Sequence, residues 1–269
     1  LLANLHSHPL GVDSDEEFRI SLAGQQEKTA LLFQEGQWQK PLGSTATTHI
    51  LKPVIGMLKN GMDMSDSVEN EYICLKTMEH FGLKAAQAEM LEFSGAKVLA
   101  IERFDRKWDG KLLYRLPQED FCQAVSYASN KKYQSDGGPG IKEIYNLLGE
   151  SNNREQDQYD FIKSQLVFYL LAAIDGHAKN YSVFLKAGGL ELCPFYDVLS
   201  ASHLIEKGML PARKAKIALS VGEKNHYKLQ DLFKRHWYQT AKVIKLPAEI
   251  LDRAIDDVIV ASLTLEDFL

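Results

Sequence analysis

Ile174-Asp175-Gly176-His177-Ala178-Lys179-Asn180, followed beyond a short strand by Pro194-Phe195-Tyr196-Asp197, contains the residue types needed for phosphoryl transfer. An Asp, an Asn five positions later and a second Asp past a hairpin-like stretch match the order of a catalytic carboxylate and two magnesium ligands. The chemistry sets the placement. Asp175 has to meet the acceptor hydroxyl, whereas the Asn180 amide oxygen and the Asp197 carboxylate have to reach magnesium, because hard cations prefer oxygen ligands. A turn between helix and strand is the plainer use of Asp175 and Asn180. His177 is suited to orienting Asp175 or touching phosphate, or to a structural hydrogen bond. It has no His or Cys partner at metal-ligand spacing.

Such a site also needs a cation at the phosphates. Lys52 closes the strand-like run Thr47-Thr48-His49-Ile50-Leu51-Lys52-Pro53, and Glu71 on the following helical stretch is its expected partner, with Glu69 as second choice. Ala23-Gly24-Gln25-Gln26-Glu27-Lys28 lies where a phosphate-covering loop belongs. With Gly24 as its one glycine it is not a G-x-G-x-x-G loop, and a plain hairpin turn is the alternative.

The elements that must position these groups fall into two textures. Phe18–Leu22, Thr29–Phe33 and Thr47–Pro53 read as strands punctuated by Gly36 and Gly43. Ser67 to Phe81 reads as a helix with a Ser cap and a Gly82 stop. Met90–Phe93 and Lys97–Ile101 read as a hairpin around Ser94-Gly95. From Gln118 onward helical periods dominate: Phe121 to Tyr127, Ile141 to Leu148, Asp157 to Ile174, Leu229 to Ile244 and Pro247 to Val260. The prediction is α+β, a two-lobed protein-kinase-like fold with a small mixed β-sheet N-lobe over residues 1–104 and a mostly helical C-lobe over residues 105–269.

Composition sets the outer bounds. The 269 residues are enough for one large core or two moderate lobes, and 45% hydrophobic with 25% charged residues is an ordinary globular composition. A net charge of -5 argues against an extended nucleic-acid surface. No apolar run approaches a membrane span, and the first residues do not read as a signal peptide. Cys74, Cys122 and Cys193 sit far apart in apolar settings, as expected of buried free thiols in a reducing cytoplasm. The chain begins at Leu1, so its natural N-terminus is expected upstream. The cluster Arg213-Lys214-Ala215-Lys216 with Lys224 reads as a solvated face.

Seven motifs in order carry a resemblance: Ile20 to Leu31, Thr47 to Lys52, Glu69-Asn70-Glu71-Tyr72, Glu102-Arg103-Phe104-Asp105-Arg106, Ser135-Asp136-Gly137-Gly138-Pro139-Gly140, Asp175 to Asn180 and Phe195-Tyr196-Asp197. Together they resemble the HipA-type toxin kinases, bacterial serine/threonine kinases of toxin-antitoxin modules linked to persistence. Members pair with a DNA-binding HipB-type antitoxin and phosphorylate aminoacyl-tRNA synthetases. The resemblance implies ATP and magnesium as cofactors, Asp175 as catalytic base, Lys52 as the phosphate-binding lysine, and Asn180 and Asp197 as metal ligands. It implies a hinge at Glu102, Arg103 and Phe104 whose backbone amide and carbonyl groups hold adenine. Gly24, Gln25, Gln26, Glu71, His177 and Lys179 complete the expected nucleotide-facing set. Ser21 falls at the regulatory autophosphorylation site, where added negative charge would eject the covering loop.

The departure is at the N-terminus, where family members usually carry a further β-rich subdomain that meets the antitoxin. The implied partners are a synthetase substrate, the antitoxin and, through it alone, DNA, with no membrane partner and a cytoplasmic location. Two alternatives stand beside this reading. One is a switched-off kinase core that serves as a binding subunit of an antitoxin-DNA complex. The other is a lipid or small-molecule kinase, which would favour a basic membrane-facing surface.

Overall fold

The computed structural model describes residues 26–42 and 45–268. The expected strand at Phe18–Leu22, the loop residues Gly24 and Gln25, Ser21 and the turn at Gly43 lie outside the described residues. The chain divides into two compact units, Leu1–Ile73 with Ala86–Arg115 and Cys74–Ala85 with Leu116–Leu269.

The first unit contains β1 (Thr29–Gln34), β2 (Gln37–Gln39), β3 (His49–Pro53), β4 (Gly56–Met57), β5 (Asp63–Met64), the first half of α1 (Ser67–His80), β6 (Ala88–Phe93), β7 (Ala96–Glu102), β8 (Arg106–Trp108) and β9 (Leu113–Arg115). Five strands form one sheet in the order β2-β1-β3-β7-β6. Every pairing between them is antiparallel. Period-two alternation puts Leu51, Val98 and Ala100 into its core, covered by Leu31, Trp38, Leu91 and Phe93. The β6–β7 hairpin turns at Ser94 and Gly95, both at positive φ (51° and 82°), the twist that a two-residue hairpin requires. Ser67 does not act as a helix cap: its Oγ accepts the Ile55 amide at 2.8 Å.

The second unit contains the rest of α1 with β10 (Gln118–Asp120), α2 (Phe121–Ala124), α3 (Ile141–Leu148), α4 (Arg154–Leu170), β11 (Ser182–Lys186), β12 (Gly189–Leu192), α5 (Ser202–Glu206), β13 (Lys216–Val221), β14 (His226–Lys228), α6 (Lys234–Ile244), α7 (Ala248–Ser262) and α8 (Leu265–Phe268). Its centre is α4, buried almost all round from Asp157 to Phe168. A helix so placed must satisfy its own polar groups. Asp157 accepts from Ser151 Oγ at 2.5 Å and the Leu192 amide at 2.8 Å, Gln158 donates to the Tyr145 carbonyl at 2.9 Å, and Gln165 donates to Tyr181 Oη at 3.0 Å.

Helix ends decide where the loops begin. Gly82 stops α1 in the left-handed conformation (φ 74°), with Leu83 N donating to the Met78 carbonyl, as the sequence predicts. Helix α4 stops in the same way at Ala172 (φ 49°), with Ala173 N on the Phe168 carbonyl, so it ends before the expected Ile174. Helix α2 is shorter than the expected run to Tyr127. Asp120 opens it, accepting the Gln123 amide at 2.9 Å, and Gln123 returns a bond to the Asp120 amide. The three cysteines are free and buried. Among the described residues no helix is long and apolar enough to cross a membrane.

A buried carboxylate fastens the first unit near the end of β7. Arg103 grips Asp105 in a fork, Nε to Oδ1 at 2.9 Å and a terminal nitrogen to Oδ2 at 2.8 Å, and its other nitrogen reaches Thr47 Oγ1 at 3.1 Å. Burial pushes the Asp105 carboxyl up, but the bonds and charge of Arg103, with Arg106 and Arg115, hold it below its ordinary 3.8. A depressed folded value means stability that is present above 3.8 and lost as pH falls through the folded value. Asp105→Asn is therefore expected to be less stable than the parent at pH 7 by about 2 kcal/mol. Urea denaturation across a pH series should show the gap closing as pH drops below 3.8; a gap independent of pH would refute the carboxylate's role.

Candidate active site

In the first unit, β3 delivers Lys52 next to core residue Leu51, and the first half of α1 delivers Glu71. Lys52 Nζ donates to Glu71 Oε1 at 2.6 Å, with the two side chains only 7% and 2% exposed. The choice between the two candidate glutamates is thereby decided, since Glu69 pairs with Lys97 instead. Burying two charges is costly, and the pair is favourable only because the opposite charge is held in contact. Gln26 sits beside the end of β3, its Nε2 3.4 Å from the Pro53 carbonyl.

Two of the amides expected at the hinge already have partners. The amides of Glu102 and Arg103 donate to the Gln87 and Thr48 carbonyls, each at 2.8 Å, so these two donors are committed within the unit. The Arg103 side chain is occupied with Asp105 and Thr47. The Arg103 side chain of this motif therefore serves as structural fastening.

In the second unit the segment after α4 makes a tight loop that ends in a 3-10 turn over Ala178–Asn180. Gly176 is required there, since a Cβ would fall 2.4 Å from the Phe168 ring. Asn180, 5% exposed, donates from Nδ2 to the Asp175 carbonyl at 2.7 Å, and its amide meets the His177 carbonyl at 2.8 Å. The first bond fixes the amide plane and leaves Oδ1 as the side-chain atom with no hydrogen bond among the described residues. Tyr181 follows, buried at 1%, stacked on Phe121 and Phe168 and edge-on to Phe161 and Phe195. This aromatic floor anchors the loop to α4.

Asp197 enters from the strand side. Phe195 makes a parallel bridge with Ala85, and its amide donates to the Lys84 carbonyl at 2.8 Å. Tyr196 Oη then joins Ser182 Oγ at 2.6 Å and donates to the Lys179 carbonyl at 3.1 Å. The tyrosine thus ties the Asp197 segment to the loop that ends at Asn180. Burial keeps its hydroxyl protonated far above the ordinary range. Asp197 itself has φ 60°, a conformation uncommon outside glycine and characteristic of strained functional positions.

Asp175 is the exposed member, its side chain 56% accessible. Tyr133 Oη donates to its Oδ1, and His177 Nε2 lies 3.9 Å from the same oxygen. Burial holds the His177 imidazole below its usual value, against the opposing pull of Asp175 and Asp197, so it is neutral at pH 7. Its Nδ1 is buried without a partner among the described residues. Lys179 is drawn elsewhere, its Nζ 2.6 Å from Asp120 Oδ2. Tyr133, Asp120 and Tyr196 had no part in the expected site. Tyr133 and Asp120 lie 42 and 55 positions before Asp175 and no local pattern marks them, whereas Tyr196 stands within the Phe195-Tyr196-Asp197 motif, where nothing shows its contacts. Asn180 and Asp197 offer an amide and a carboxylate oxygen, hard donors that suit magnesium.

Against known proteins, a family model described as the HipA-like C-terminal domain matches residues 20–264. Y4mE of Sinorhizobium fredii, described as a candidate kinase, is 30% identical over 261 residues, which is 96% of this chain and 59% of that protein. The serine/threonine-protein kinase toxin HipA of Shewanella oneidensis is 29% identical over 200 residues, 69% of this chain and 44% of that protein. The chain thus spans about half the length of the curated relatives it matches. Among solved structures, HipA of Shewanella oneidensis in complex with HipB and operator DNA superposes with a TM-score of 0.79 at 21% identity, over 99% of this chain and 62% of that one. The Helicobacter pylori proinflammatory kinase CtkA gives 0.54 at 12% identity, over 94% and 92%. The fold is the kinase-like fold of these proteins.

The buried ion pair of the first unit gives a direct test. Glu71→Ala strands a buried ammonium and is expected to cost about 3–5 kcal/mol in urea denaturation. Replacing both partners, Lys52→Met with Glu71→Leu, should recover most of that loss. A single variant as stable as the parent would contradict the contact.

Proposed function

Because this chain belongs to the HipA-like C-terminal domain family, we propose that it is an ATP-dependent serine/threonine protein kinase and the toxin of a toxin-antitoxin module. One observation carries the reading. The base candidate Asp175 and the metal-ligand candidate Asn180 are locked to each other by the 2.7 Å bond from Nδ2 to the Asp175 carbonyl. A turn that merely reversed the chain has no need to bury an asparagine and direct its amide oxygen away from the backbone.

Asp175 takes the proton of the acceptor hydroxyl as the new bond to phosphorus forms. Lys52, held by Glu71, places an ammonium for the phosphates of ATP. Asn180 and Asp197 hold magnesium. When bound, the metal neutralises charge that develops on the transferring group. Neutral His177 adds no competing charge beside Asp175. Residues 1–104 and 105–269 act as the two lobes of the kinase. Glu102, Arg103 and Phe104 border the adenine side through groups other than the two committed amides.

The acceptor is a protein serine or threonine, on an aminoacyl-tRNA synthetase, and its phosphorylation arrests translation in the cytoplasm. Autophosphorylation at Ser21 regulates the enzyme. A HipB-type antitoxin is the partner, and DNA is met through it. The Shewanella oneidensis relative's name supports a serine/threonine kinase toxin, and its solved complex with HipB and operator DNA supports the antitoxin partner.

The test is transfer from γ-labelled ATP with magnesium, read by mass spectrometry on the chain itself and on a panel of synthetases. Asp175→Asn is expected to lower transfer by about 10²- to 10⁴-fold while leaving ATP binding intact. An active parent matched by its Asp175→Asn variant would remove Asp175 as the base. A parent that labels neither itself nor any acceptor would refute the kinase reading.

A further inference from the structure

The Asp175 carboxylate has two oxygens, and the structure treats them differently. Oδ1 receives the Tyr133 hydroxyl and faces His177 Nε2 at 3.9 Å. These contacts leave Oδ2 as the oxygen turned toward an incoming group, on a side chain that is more than half exposed. A tyrosine in this place has two possible functions: it can block the base by occupying the acceptor's position, or it can hold the carboxylate in one orientation.

The surroundings of Tyr133 decide between them. A plug must be able to leave, and this ring is fixed from several sides. Its edge packs on His177 with centroids 4.9 Å apart, and Lys132 Nζ lies 5.1 Å from its face. The next residue, Gln134, is anchored to the other end of the unit, its Oε1 accepting the Ser220 amide at 2.7 Å and Ser220 Oγ at 3.0 Å. The Lys132 carbonyl accepts the Ala178 amide at 3.2 Å, binding the tyrosine's own segment to the Asp175 loop. Glycine is needed to close this turn, because a Cβ at Gly138 would lie 2.1 Å from the Lys131 carbonyl oxygen, and one at Gly140 would lie 2.5 Å from Gln134 Nε2. A segment so tied has little freedom to swing its ring away.

We propose that Tyr133 is a positioning residue for the reaction. Its hydroxyl holds Oδ1 of Asp175 so that Oδ2 alone is presented to the acceptor hydroxyl. The inference rests on the kinase reading above. The acceptor's proton goes to Oδ2, its oxygen forms the bond to the γ-phosphorus, and ADP leaves with the electron pair of the broken bond. Tyr133 keeps its own proton throughout. Burial, then the hydrogen bond and charge of Asp175, push its ionisation well above the ordinary tyrosine range.

Two measurements on the full chain test this. The first needs no catalysis. Spectrophotometric titration should show one tyrosine ionising at lower pH in Asp175→Ala than in the parent, and the difference should vanish when Tyr133→Phe is present in both. An unchanged titration would overturn the contact and the inference with it. The second is steady-state transfer by Tyr133→Phe, which keeps the ring packing on His177. The expectation is a fall in kcat of about ten- to a hundredfold, the scale of a misplaced reacting group, with KM for ATP and for acceptor unchanged. A variant with parental kcat, or one with higher transfer and a lower acceptor KM as for a removed plug, overturns the inference while leaving the kinase reading intact. A parent without transfer overturns both.

Discussion

The bond from Asn180 Nδ2 to the Asp175 carbonyl is the constraint on which the second unit's site depends. It closes the loop across five residues and makes the orientation of one functional group a consequence of the position of the other. A buried hydrogen bond contributes only about 1 kcal/mol net, but leaving a buried amide unsatisfied costs about 1–3 kcal/mol, so the penalty for any other rotamer enforces this one. Immediately downstream, Tyr181 buries its ring among four phenylalanines and fixes the height of the loop against α4. The polar closure and the aromatic floor act on adjacent residues.

Around this loop the ties are mostly made by neutral groups that burial keeps neutral. Tyr196 and Tyr181 both have hydroxyls pushed far above their usual ionisation range by desolvation, so they serve as donors or acceptors at any pH near neutrality. His177 is kept neutral by the same effect. Within this unit Lys179 is matched by Asp120. Asp175 carries its carboxylate at the surface, with a tyrosine hydroxyl on one oxygen.

Legibility in the sequence followed the range of the interaction. The β6–β7 hairpin is written in two adjacent turn residues, and the end of α1 in one glycine. The end of α4 is not, because Ala172 adopts the left-handed conformation without being glycine, and the apolar run through Ile174 continues the helical pattern past it. Lys52 and Glu71 were readable because strand and helix place them by rule. Tyr133 was not, since it meets the loop through tertiary packing that no period encodes; Tyr196 stands in a motif, but its ties to Ser182 and Lys179 are tertiary as well. For a related reason the sequence does not reveal that the amides of Glu102 and Arg103 already have backbone partners.

Asn180 and Asp197 are proposed to make one magnesium site that serves ATP. Calorimetric binding of a non-hydrolysable ATP analogue to the parent and to Asp197→Ala, each with magnesium and with chelator, tests it most directly. Magnesium is expected to tighten binding to the parent at least tenfold and to have no such effect on the variant, while the two proteins bind alike in chelator. Equal magnesium dependence in parent and variant, or none in either, would contradict it.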